Sequence, residues 1–81
     1  MSRRLNKAFH KRSISIHTHR TSIALELEFW AVIDRALRAD GRSLAAFITA
    51  LDDERTAADS PHGLASYLRL FALGYVQGQA G

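Results

Sequence analysis

The sequence predicts a mostly α fold entered by a short β ribbon, and three observations predict it. Residues 20–25, Arg-Thr-Ser-Ile-Ala-Leu, alternate polar and apolar with the two-residue period of a half-buried strand. Three longer segments behind it repeat apolar residues at the three- and four-residue steps of amphipathic helices. Charge is divided along the chain as well. Residues 1–20 hold six basic side chains and no acid, +6, whereas residues 21–81 hold five arginines against eight acids, −3. A basic arm on a mildly acidic body suits a polyanion better than a small-molecule substrate.

With 81 residues there is room for one domain. A domain of that size buries only about 60% of its unfolded surface and is marginal alone. Yet 47% of the chain is apolar, too much for a disordered protein. The two facts are reconciled if two chains share one core. No cysteine is present, so disulfides and thiolate metal sites are excluded. No apolar run approaches the ~20 residues of a membrane span, and no signal-peptide core follows the basic N-terminus, so a cytoplasmic protein is expected.

The elements follow in order. Residues 1–11 read as a flexible basic arm carrying Arg3, Arg4, Lys7 and Lys11. A core is placed at 12–55. In it, Ser13 to His17 alternates with Ile14 and Ile16 on one face, which makes a second strand possible. Only Thr18 and His19 then separate the two runs, and a hairpin that tight wants residues at ease with positive φ, which these are not. In the stronger run, Thr21, Ile23 and Leu25 share one face, opposite Arg20, Ser22 and Ala24. The first helix spans about Leu27 to Ala39, its stripe Trp30, Ile33 and Leu37 flanked by Phe29 and Ala36. Gly41 suits a left-handed C-terminal cap. Ser43 caps a second helix to about Arg55, with the stripe Leu44, Phe47, Ile48 and Leu51. Its exit, Asp52-Asp53-Glu54, is acidic where the helix dipole is negative, so this end should fray or meet a cation. Residues 60–77 form a third helix, with Ser60 as N-cap, Pro61 at the first position and Leu64, Leu68, Phe71, Tyr75 and Val76 on its apolar side.

A lone strand neither buries its apolar face nor satisfies its backbone edge. Antiparallel pairing of two chains solves both problems. It packs Thr21, Ile23, Leu25, Trp30, Ile33, Leu37, Phe47, Ile48 and Leu51 into a dimer core and turns Arg20, Ser22 and Ala24 outward. A two-stranded ribbon fits the DNA major groove, where arginine donates two hydrogen bonds to guanine. The Gly41-Arg42-Ser43 turn leads into a helix N-terminus, whose free amides suit a phosphate.

Arg20-Thr21-Ser22-Ile23-Ala24-Leu25, then Glu28-Phe29-Trp30, then Gly41-Arg42-Ser43-Leu44 resembles the ribbon-helix-helix family of bacterial repressors and antitoxins. Lys11 to His17 and the helix from Leu64 to Tyr75 look like a small subfamily with an extra N-terminal segment and an added third helix. The resemblance implies an intertwined homodimer whose alternate strand side chains read DNA, by position Arg20, Ser22 and Ala24. Ala24 departs from the polar residue often found there and offers only a methyl contact.

The expected function is sequence-specific binding of double-stranded DNA by a homodimer, as a transcriptional regulator. Phosphate contacts are assigned to Arg3, Arg4, Lys7, Lys11, Arg12, Arg42 and Ser43. The alternative is an antitoxin whose C-terminal helix binds a toxin; stacking of dimers into tetramers through that helix is left open. His17 and His19, even with His10 or His62, lack a fixed third ligand, so no metal is expected. Trp30 and Phe29 sit at core spacing rather than as a stacking platform. No paired carboxylates, nucleophile–base set or Gly-rich phosphate loop is found, so neither an enzyme nor a cofactor is expected, and no membrane partner.

Overall fold

Phe9 faces Glu26 and Ile16 faces His19 across an antiparallel hairpin made within one chain. The computed structural model describes residues 9–80. The hairpin's strands are β1 (Phe9–Ile16) and β2 (His19–Glu26), followed by α1 (Leu27–Asp40), α2 (Leu44–Ala57) and α3 (Leu64–Ala80). The second strand left open by the alternation at Ile14 and Ile16 is therefore formed. It starts at Phe9, inside the segment expected to be arm, while residues 1–8 lie outside the described residues.

β1 occupies the place for which the lone-strand argument required a second chain. Ile14 and Ile16 from β1 join Ile23 and Leu25 from β2 on the inner face of the ribbon, each 6% exposed or less. Against them pack Trp30, Ile33 and Ala36 of α1, Phe47, Ile48 and Leu51 of α2, and Leu68 and Ala72 of α3. The residues expected in a dimer core thus lie in the core of a single chain, with Thr21 and Leu37 half-buried at its margin. The Trp30 indole N–H donates to the His10 carbonyl at 2.8 Å, which ties α1 to β1 and satisfies the one polar atom of a buried ring.

The turn is made by His17 and Thr18, one residue earlier than expected, and both adopt left-handed backbone with φ of 50° and 69°. A two-residue loop demands that geometry because only mirror-image turns match the right-handed twist of the strands. The register set by the inward isoleucines thus overrides the poor turn chemistry of His-Thr.

Gly41 ends α1 at φ 88°, its N–H returning to the Leu37 carbonyl at 2.9 Å. The Ser43 hydroxyl accepts from the Ala46 N–H at 3.1 Å and caps α2. The end of α2 does not fray at its acids but runs on to Ala57, because Asp52 and Asp53 find partners. Arg55 donates twice to Asp52, and His17 meets Asp53. α3 starts at Leu64 rather than Pro61. The Ser60 hydroxyl accepts from the His62 N–H at 3.2 Å, a local turn that competes with helix, and Gly63 provides the first helical carbonyl, for Tyr67. Among the described residues, no helix is long and apolar enough to cross a membrane.

Candidate nucleic-acid interface

Strand alternation leaves the outer face of the ribbon to the other half of its side chains. The register places Lys11 beside Ala24, Ser13 beside Ser22 and Ser15 beside Arg20. Five of these six are exposed and Ala24 is half-buried. From Lys11 to Ser15 and from Arg20 to Ala24 the row holds three hydroxyls, a methyl and two cations, with no acid. Arg20 donates to the Ser15 hydroxyl at 3.3 Å, a contact across the strands that steers the guanidinium along the row. At the open end Phe9 lies beside Glu26, whose carboxylate accepts from Arg69 of α3 at 2.9 Å. That bond holds the Glu26 carboxyl below its usual range and sets a fixed acid beyond the basic row.

The predicted base-contacting residues Arg20, Ser22 and Ala24 are thus brought together. The structure adds Lys11, Ser13 and Ser15 to the same face. Their signal is present in the sequence, in the alternation with Ile14 and Ile16, but it gains meaning only once β1 pairs with β2.

The predicted phosphate-contacting residues divide. Arg3, Arg4 and Lys7 lie outside the described residues, and Lys11 stands in the outward row. Arg12 does not: it projects from the inner face, donates to both oxygens of Asp34 at 2.9 Å and lies 4.3 Å from the centre of the Trp30 ring. Arg42 and Ser43 share the turn before α2, as expected. There, however, the Arg42 guanidinium already pairs with Asp40 through Nε and Nη2. This pairing raises the Arg42 pKa and depresses that of Asp40, each through the hydrogen bond first. A phosphate at this helix end has the α2 amides and the Ser43 hydroxyl to meet, and it competes with Asp40 for the guanidinium.

His17 and His19 do not act as a pair. His17 sits in the turn and its Nε2 lies 2.7 Å from Asp53 Oδ1, whereas His19 opens β2 opposite Ile16.

A family model described as the ribbon-helix-helix domain matches residues 9–76, from the first residue of β1 nearly to the end of α3. No curated protein and no solved structure matches the chain.

Proposed function

The chain belongs to the ribbon-helix-helix family, whose domains are DNA-binding and non-enzymatic, and on that premise we propose that it is a sequence-specific regulator that binds double-stranded DNA as a homodimer. The observation that carries this reading is the stretch of the hairpin's outward row from Lys11 and Ala24 to Ser15 and Arg20, which holds two cations and no acid. Laid in the major groove, Arg20 presents a forked donor suited to the two acceptors of guanine, and Ser13, Ser15 and Ser22 present hydroxyls that serve several bases. Ala24 offers a methyl surface to thymine. Lys11 and, from the arm, Arg3, Arg4 and Lys7 meet phosphates, which position the protein without reading bases. Ser43 and the α2 amides hold the backbone, with Arg42 joining when it leaves Asp40.

Two features support the homodimer. Family members dimerise in general. Among the described residues, each ribbon strand keeps one edge without a strand neighbour. α3 places Leu68 and Ala72 in its own chain's core, which favours a regulator over an antitoxin whose C-terminal segment waits for a toxin.

The test is selection of DNA from a random duplex pool by the purified protein, with the shift repeated at low and high salt and the mass in solution read by light scattering. Enrichment of a defined motif by a dimer is the expected result. Salt-sensitive binding with no enriched motif leaves only a basic arm on a polyanion.

A further inference from the structure

Away from the outward row, the tip of the hairpin meets the end of α2. His17 and Asp53 are 36 residues apart in sequence, yet His17 Nε2 and Asp53 Oδ1 approach to 2.7 Å. Asp52 lies beside them, and one ligand atom from each of His17, Asp52 and Asp53 falls within 4.8 Å of the others. The geometry points to a divalent transition-metal site formed by His17, Asp52 and Asp53, which clamps the ribbon tip to α2.

The chemistry of the donors selects the ion. One imidazole with carboxylates suits Zn²⁺, Co²⁺ or Ni²⁺, whereas Mg²⁺ and Ca²⁺ favour all-oxygen shells. Two ligands about 2.0–2.2 Å from a tetrahedral or octahedral ion stand roughly 3.0–3.4 Å apart. His17 and Asp53 therefore need to part by less than about 1 Å as the ion replaces the proton between them, and exposed side chains absorb that. Both Arg55 donors to Asp52 reach Oδ1, so Arg55 engages one of the two carboxylate oxygens, and the Asp52 carboxylate closes on the ion from within 4.8 Å of the other two ligand atoms. Water completes the shell of an exposed site. The placement also suits a cation electrostatically, because two acids and the negative end of the α2 dipole converge there. Neither sequence neighbour of His17 brings these carboxylates; the fold does.

The test uses the full chain without a histidine tag, titrated with Zn²⁺ by calorimetry and with Co²⁺ by its visible spectrum. One ion per chain is expected. His17→Asn removes the imidazole but tolerates the left-handed backbone, so the turn survives. It and Asp53→Asn should each weaken Zn²⁺ binding at least tenfold, while His10→Gln at the far end of the ribbon leaves it unchanged. In the unaltered protein, Co²⁺ should shift the NMR signals of the His17 ring and not those of His10, a readout that depends on no variant. Failure to bind Zn²⁺ at about 1 mM, equal binding by His17→Asn, or Co²⁺ shifts spread evenly over the four histidines each overturns the site.

Discussion

Arg12 and Asp34 face each other as fork to fork: two guanidinium N–H groups donate to the two carboxylate oxygens at 2.9 Å each. The guanidinium also rests over Trp30, so one side chain fastens β1 to α1 by charge and by stacking. Both partners are about one-third exposed, which places the pair near the upper end of what surface ion pairs contribute. Asp34→Asn should cost about 1 kcal/mol at neutral pH. The Arg12 hydrogen bond holds the Asp34 carboxyl below its ordinary value, so its contribution is present above the unfolded pKa of about 3.9. It is lost as pH falls through the lower folded value. The stability gap between wild type and Asp34→Asn in urea melts should therefore be flat near pH 6–7 and close below about pH 4.

Ile23 tests the inner face of the ribbon. It is 3% exposed, and aspartate there puts a charge among Ile14, Leu25 and the helices. A loss on the order of 3–5 kcal/mol should abolish cooperative melting by circular dichroism. Ser22→Asp, one residue away on the outer face, should melt as wild type does. Equal damage from both would contradict the alternation.

The turn carries strain that one substitution relieves. Thr18 is β-branched and sits at φ 69°, where an L side chain costs about 1–2 kcal/mol. Glycine there removes that cost but loses about 0.4–1 kcal/mol through its freer unfolded chain. Thr18→Gly should thus stabilise by about 0.5–1 kcal/mol and raise Tm by a few degrees. A lower Tm would mean that the bond from the Thr18 hydroxyl to the His17 carbonyl outweighs the strain.

Arg20→Ala is expected to leave Tm nearly unchanged and to weaken the best DNA site by about 1–3 kcal/mol for each guanine that the guanidinium no longer reads. Unrelated duplex should suffer much less. The ratio of the two affinities is the quantity to measure, and an equal fall in both would make Arg20 a phosphate clamp.

Deleting residues 1–8 removes Arg3, Arg4 and Lys7 while leaving β1 whole. In a dimer with every one of these on a phosphate, the log–log salt slope falls by about 5; partial engagement gives a drop of about 2–4. Sequence preference should persist. An unchanged slope means the arm does not touch DNA.

Much of the fold is readable from local pattern. Gly41 and Ser43 punctuate the helices as their chemistry dictates, and the stripes of Trp30, Ile33, Phe47, Ile48 and Leu68 face inward as their spacing predicts. The start of α3 is not readable in the same way, because Ser60-Pro61 looks alike whether Ser60 caps a helix or closes a turn onto His62. The role of Arg12 is hidden for a different reason. A cation in a basic stretch carries no mark of its partner, and Asp34 becomes that partner only through the β1–α1 packing. His17 and Asp53 show the same limit at longer range.

The hairpin also changes how recognition can diverge. A ribbon built from one strand of each of two identical chains repeats every outward side chain under a twofold axis, so any substitution appears at both ends at once. In the β1–β2 ribbon every outward position has its own codon, and the two ends of the polar row differ: Lys11 with Ala24 at one, Ser15 with Arg20 at the other. A substitution can therefore alter one end of the row and leave the other as it was, so the row has a direction within each chain; in the proposed homodimer the twofold axis would repeat the whole row rather than mirror its two halves.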